Sequence, residues 1–305
     1  MADSRAKLRR QKERRRKKII RFCIAWGSVL IVVVLVTVLI VSCAVNAGKR
    51  KEEAQAETTS ETMEETVTET TTEEETTTAA RSEWDGVTAQ EMIDRGEATK
   101  IVFLTFDDGP GPYTDQLLDI LAKHDVKATF FVTGMGYDYP DTIKREYEDG
   151  HSVAVHTFTH DYETVYTSEE AYWEDYEKVN TMIEEYTGHR ADFFRFPGGA
   201  SNEVSWQYNE GIMTRLTEQA VDRGLDYVDW DISSGDGGAT DNSDDVYYNV
   251  TNGIEEYDIS VVLMHDTHDF TINAVEDIIN YCLNRGYTLL PFHKGIYECH
   301  HGVNN

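Results

Sequence analysis

The sequence predicts an α/β fold: a parallel sheet of about seven strands curled into a barrel or near-barrel, preceded by a transmembrane helix and a disordered linker. Three observations predict it. Short apolar runs recur from residue 101 onward, amphipathic helical patterns lie between several of them, and the first 85 residues have compositions that cannot build such a domain.

The first element is a basic tail, residues 1–21, dominated by "RAKLRRQKERRRKKIIR". From Phe22 to Val45 the next 24 residues carry no charge, roughly 36 Å of helix and enough to cross a bilayer. Residues 22–45 are therefore expected to be a transmembrane helix. The basic cluster before it outweighs the "KRK" after it, so the N-terminus is expected in the cytoplasm and the remainder outside the cell membrane. A cleaved signal peptide is the competing reading, but the run is long and no clear A-x-A site follows. Cys43, in "IVSC", also resembles a lipoprotein processing position.

Residues 46–86 form the second element. Glu and Thr supply 21 of the 29 residues from Glu52 to Ala80, too polar and self-repelling to offset chain entropy by burial. This segment is expected to be a disordered, extended linker, and it contributes heavily to the net charge of −28. An acidic exterior disfavours a nucleic-acid partner, and no feature suggests a protein partner.

Residues 87–305 have globular composition and are expected to form one domain. Expected strands are "IVFLTF" (101–106), "ATFFVTG" (128–134), "SVAVH" (152–156), "DFFRFP" (192–197), "DYVDWDI" (226–232), "SVVLMH" (260–265) and "YTLLPF" (287–292). Helical stripes connect them: Leu117, Ile120 and Leu121 in one, and Tyr172, Tyr176, Val179, Met182 and Tyr186 in another. The aromatic residues Tyr172, Trp173 and Tyr176 read as core, and His300 with His301 as a solvated tail. Cys282 and Cys299, exposed to an oxidising compartment, could form a disulfide, but two cysteines do not define a framework.

In parallel α/β folds chemistry collects at the carboxyl ends of strands. Asp107 and Asp108, His156 and His160, Arg195, Asp236 and His265 all fall there. The spacing in "HTFTH" lets His156 and His160 share a metal ion if the segment turns helically, with a carboxylate completing a facial set. Alone this spacing is weak.

The order of "TFDDGPGPYTDQLLDIL", "KATFFVTG", "GHSVAVHTFTH", "FFRFPGG" and "VVLMHD" resembles that of the polysaccharide deacetylases, the NodB-like fourth family of carbohydrate esterases. The likeness extends from Lys100 to Phe292. It implies a distorted (β/α) barrel and metal-dependent removal of acetyl groups from N-acetylated sugars. By this resemblance Asp108, His156 and His160 are metal ligands, Asp107 the catalytic base, Arg195 its orienting partner, His265 the general acid and Asp236 the carboxylate that raises the proton affinity of His265. The Gly198 amide matches an oxyanion donor, and Leu263 lines the acetyl-methyl pocket. The implied cofactor is one divalent ion, zinc first, with cobalt, nickel, manganese or iron as alternatives for a two-His, one-carboxylate site.

Two motifs depart from the family pattern. Ser233 and Gly237 stand where many members have Asp and Trp, and Gly198 where many have a larger residue, which puts the shape of the substrate groove in question. Trp206 and Tyr208 are the expected sugar-stacking residues. The expected partner is a polysaccharide of the cell envelope, peptidoglycan N-acetylglucosamine first. Alternatives are N-acetylmuramic acid, chitin oligomers, an exopolysaccharide, acetylxylan or, from another class, a non-catalytic glycan-binding module.

Overall fold

The structure, a computed structural model, describes residues 86–305. The predicted basic tail, transmembrane helix and linker up to residue 85 lie outside the described residues. Among those described, no helix is long and apolar enough to cross a membrane.

Strand β1 (Ile101–Asp107) is buried along its whole length, as a parallel strand covered on both faces must be. Successive side chains point to opposite faces. Val102, Leu104 and Phe106 pack into the layer shared with the helices, whereas Ile101 and Phe103 join an inner cluster with Phe131, Ala154, Phe193, Val261 and Phe292. The remaining strands are β2 (Thr129–Thr133), β3 (Ser152–Thr157), β4 (Phe193–Phe194), β5 (Asp226–Tyr227), β6 (Ile232–Ser233), β7 (Ile259–His265) and β8 (Thr288–Leu289). Their order is β5-β4-β3-β2-β1-β7-β6, every pairing parallel, with β8 added to the lower half of β1.

The expected strand 226–232 is in fact two. Its first residues pair with β4 and its last with β7, on opposite edges of the sheet. Between them the Val228 N–H donates to the Phe194 carbonyl (2.8 Å) and the Asp231 N–H to that of Val261 (2.9 Å). Both edges therefore lie within reach of five residues, roughly 17 Å of chain, which requires a strongly curled sheet. A crossing segment closes this distorted barrel in place of a last strand pair. Aspartate side chains break the strand: Asp231 Oδ2 accepts the Val261 N–H (2.8 Å), a position that a continuous ladder would give to a backbone carbonyl.

Eight helices among the described residues surround the sheet: α1 (Ala89–Asp94), α2 (Thr114–Lys123), α3 (Pro140–Glu148), α4 (Tyr162–Val165), α5 (Glu169–Thr187), α6 (Ile212–Asp222), α7 (Ser243–Glu255) and α8 (Asp269–Asn284). Helix α5 starts where Ser168 accepts the Ala171 N–H and stops at Gly188, whose left-handed φ of 77° suits a C-terminal cap. It buries Tyr172, Trp173, Tyr176, Val179 and Met182 as expected, while Tyr186 is only partly covered. In α2 the buried stripe is Thr114, Leu117, Leu118 and Leu121, and Ile120 sits at its margin.

The C-terminal segment is tied to the domain rather than free, although His300 is exposed and His301 half-buried. His300 stacks on Tyr227 at 3.9 Å and bonds Asp226, while His301 bridges the Trp230 carbonyl and Ser201. Asp226 and Tyr227 hold the His300 ring, and Trp230 with Ser201 the His301 ring, partners unrecognisable from the sequence. Cys282 and Cys299 are free thiols in separate clusters, the outer and the inner, so they form no bridge.

Glu146 on α3 is fully buried with neither carboxylate oxygen hydrogen-bonded. Burial pushes its carboxyl well above the ordinary range, and the charges of Asp266 and Asp115 add to the rise. Folding then takes up a proton there, so its contribution to stability is complete below the unfolded pKa and is lost as pH rises. Glu146→Met should stabilise the domain by about 1–3 kcal/mol at pH 8 and by less at pH 5. Thermal denaturation at the two pH values checks this, and an equal gain at both would contradict it.

Candidate active site

The inward positions of the strands become polar toward their carboxyl ends. On β1 the sequence runs Phe103, Thr105, Asp107, and on β7 it runs Val261, Leu263, His265. The parallel register sets Asp107 beside both His265 and Phe131. Ala154 is followed inward on β3 by His156, and Phe193 on β4 by Arg195 just past the strand.

Arg195 is entirely buried. Its Nη1 donates to Asp107 Oδ1 (2.8 Å) and Thr105 Oγ1 (2.7 Å), its Nε to the Val228 carbonyl and its Nη2 to the Asp229 carbonyl (both 2.8 Å). The guanidinium also lies 4.1 Å from the centre of the Phe131 ring. Burial pushes the Asp107 carboxyl above its ordinary value, while Arg195 and His265 oppose that rise. The result is an ionisable group held in one rotamer and a stronger base than a solvated aspartate.

Asp108 follows directly on a strand, and an extended backbone would carry its side chain to the opposite face. Its φ of 73° is left-handed and turns it back over the same cavity. Aspartate tolerates that region better than most residues. His160 has the same property, with φ 48°, so "HTFTH" is not the helical turn considered from the sequence. A bend follows β3, and buried Asp175 of α5 shapes it by accepting the N–H groups of Phe158 (2.5 Å) and Thr159 (3.2 Å).

These two backbone reversals bring the Nε2 atoms of His156 and His160 to 3.5 and 3.4 Å from Asp108 Oδ1. That oxygen is buried and has no hydrogen-bond partner. Three ligands about 2.1 Å from a tetrahedral cation are separated by roughly 3.4 Å, so the donor set and spacing fit a divalent metal. His156 Nδ1 lies 2.8 Å from the Arg195 carbonyl, leaving Nε2 as the free ligand atom. Burial, helped by the neighbouring His160, lowers the His156 pKa to about 3 and keeps the ring neutral.

Across the cavity, His265 Nδ1 meets Asp236 Oδ1 at 2.7 Å, and the His265 N–H donates to Asp236 Oδ2 (2.8 Å). Ser234 and Thr271 hydroxyls donate to the same carboxylate. Burial alone would lower the His265 pKa, but Asp236, with Asp107 and Asp108, carries it to about 9. His265 therefore holds a proton at neutral pH.

Asp107, Asp108, His156, His160, Gly198, Asp236, Leu263 and His265 all line one cavity of about 680 Å³, with Arg195 beneath it. Trp206 and Tyr208 do not line it. The side chain of Asn202 binds the Gly199 carbonyl and the Ser205 N–H, folding 202–207 into a tight turn that leaves both aromatics on the surface. The aromatic walls are instead Tyr162, Trp230, His268 and Phe270. Trp230 lay inside an expected strand and the others beside site motifs, so position along the chain was their only signal. A Cβ at Gly237 would come within 3.1 Å of His265 Cε1, so glycine leaves that edge of the ring open to the cavity.

Residues 94–214 match the family described as polysaccharide deacetylase. A peptidoglycan-N-acetylglucosamine deacetylase of Bacillus cereus is 34% identical over 215 residues, covering 68% of this chain and 74% of that protein. The chain belongs to the polysaccharide deacetylase family. Among solved structures, the catalytic domain of a peptidoglycan N-acetylglucosamine deacetylase from Eubacterium rectale is 48% identical, with a TM-score of 0.66, over 68% of this chain and 94% of its own. A polysaccharide deacetylase from Bacillus cereus aligns at 32% identity and TM-score 0.58, over 65% and 94% of the two chains.

The site geometry predicts different outcomes for the adjacent aspartates. Asp108→Asn should lower zinc affinity at least about tenfold, whereas Asp107→Asn should bind zinc as the wild type does. Titration calorimetry on metal-stripped protein distinguishes them.

Proposed function

We propose that this chain is a membrane-tethered, metal-dependent deacetylase of peptidoglycan, acting on N-acetylglucosamine. The observation that carries the chemistry is the convergence of three arrangements on one cavity: Asp107 held by Arg195, the Asp108–His156–His160 cluster, and His265 held by Asp236. The substrate reading rests on the relatives acting on peptidoglycan N-acetylglucosamine. The tether rests on the uncharged run 22–45 and the linker that follows it.

Asp108, His156 and His160 would hold a divalent cation, which would supply Lewis-acid polarisation of the acetamide carbonyl and lower the pKa of a bound water. Asp107 accepts a proton from the attacking water, and Arg195 keeps that carboxylate aimed. A C–O bond to the carbonyl carbon forms as negative charge grows on the carbonyl oxygen. Gly198 lines the cavity, and its backbone N–H is the donor we assign to that charge. His265 then gives its proton to the sugar nitrogen, so the C–N bond breaks to yield a free amine and acetate. Leu263 offers an apolar wall to the methyl group.

Purified wall incubated with the protein should release acetate, and chelation should abolish that release. Asp107→Asn should reduce kcat by at least about 10²-fold while retaining metal; full activity in this variant rules out its role as base. Mass spectrometry of muropeptides from a strain lacking the protein tests the substrate: unchanged N-acetylglucosamine acetylation would point to another glycan.

His265→Ala should cost roughly 10²- to 10⁴-fold in kcat, and Asp236→Asn a smaller part of the same loss. Substrates carrying a better leaving group than an amine, such as an O-acetyl ester, should be less affected. Equal losses on esters and amides would show that His265 is not the proton donor.

A further inference from the structure

The turn that carries the Gly198 amide is built from two consecutive left-handed glycines, with φ of 74° at Gly198 and 77° at Gly199. Such a turn has no regular ladder to hold it, so its position must come from outside. Tyr166 Oη donates to the Pro197 carbonyl (2.8 Å), and the Gly199 carbonyl accepts from Asn202. A Cβ at Gly198 would stand 2.5 Å from Tyr162 Oη, and one at Gly199 2.9 Å from Asp229 Oδ1. The turn is thus pressed between Tyr162 on one side and Asp229 on the other.

Asp229 is buried, and among the described residues no cationic side chain is hydrogen-bonded to or ion-paired with its carboxylate. Its Oδ1 accepts the Ala200 N–H and its Oδ2 the His301 N–H, both at 2.8 Å. Its own carbonyl accepts Arg195 Nη2, and its N–H donates to the Cys299 carbonyl (both 2.8 Å). One residue therefore joins the arginine that aims Asp107, the turn that carries Gly198 and the C-terminal segment 299–301. The His301 imidazole repeats the connection, with Nε2 2.6 Å from the Trp230 carbonyl and Nδ1 3.1 Å from Ser201 Oγ.

We infer that Asp229 is a positioning residue for the deacetylation reaction, and that the C-terminal segment bound to it is part of the active-site frame. This inference rests on the deacetylase reading above. Hydrogen bonds from two backbone N–H groups to a carboxylate are charge-assisted and geometrically strict. Replacing one carboxylate oxygen with an amide nitrogen puts a donor against the N–H of either Ala200 or His301, so the turn or the C-terminal segment must shift. A donor aimed at a developing oxyanion acts only over a few tenths of an ångström, and losing one costs roughly 10²- to 10³-fold in kcat.

Asp229→Asn should therefore lower kcat roughly 10- to 100-fold, with KM and zinc content close to the wild-type values. Amide hydrogen exchange at Ala200 or at His301 should quicken at least tenfold, while β7 amides keep their protection. His301→Ala, which leaves both Asp229 bonds in place, should lower kcat severalfold with KM unchanged and remains informative if Asp229→Asn does not fold. His301→Gln should restore part of the loss by bridging Ser201 and Trp230 again. Wild-type kcat in both Asp229→Asn and His301→Ala overturns the inference, as does a loss that only follows zinc content or folded fraction. An active wild type matched by its variants sinks this inference alone, whereas a wild type that releases no acetate from any glycan overturns the deacetylase reading as well.

Discussion

The buried pair of Arg195 and Asp107 is the interaction on which the rest of the site depends. An arginine with no solvent exposure is tolerated only when its donors are engaged, and here they reach Asp107, Thr105, Val228 and Asp229. Those acceptors belong to β1 and to the crossing segment that closes the barrel. The Arg195 carbonyl meanwhile orients His156. One side chain and its own backbone thus couple barrel closure, the base and a metal ligand, so a shift in any one is felt by the others.

Above this buried pair the site is assembled from exceptions to regular structure. Asp108 and His160 both take left-handed backbone conformations, which cost of order 1 kcal/mol or more for residues other than glycine. The strain is offset by the bends that lock them, including the one tied to Asp175, and it places three ligand atoms on one side of the cavity. Asp107 and His265, by contrast, need no exception. They are register partners on neighbouring parallel strands, and strand spacing alone brings them together.

Much of this could be read from the chain. The seven apolar runs all contain strand residues, and the polar residues at their ends converge in space because a parallel sheet brings its carboxyl ends together. The misreadings share a physical cause. Residues 226–232 look like one strand because side-chain periodicity does not reveal that Asp229 and Asp231 take backbone hydrogen bonds away from a ladder. Trp206 and Tyr208 look like sugar platforms because local polarity cannot show that they are exposed outside the cavity lining. His300 and His301 look like a free tail because their partners, Asp226, Tyr227, Trp230 and Ser201, lie far back in the sequence, although His300 does stay exposed.

The sequence by itself determined the parallel α/β class, the family, and the identity of the ionisable groups at the strand ends. These follow from residue type, period and order along the chain. Tertiary structure alone decided which of those groups meet, because strand register, left-handed turns and the crossing of residues 228–231 are set by contacts between distant segments. It also decided that the closing segments of the chain, around Asp229 and His301, belong to the frame of the cavity. No local pattern encodes a carboxylate that, among the described residues, is held by backbone amides about 30 and 70 residues away.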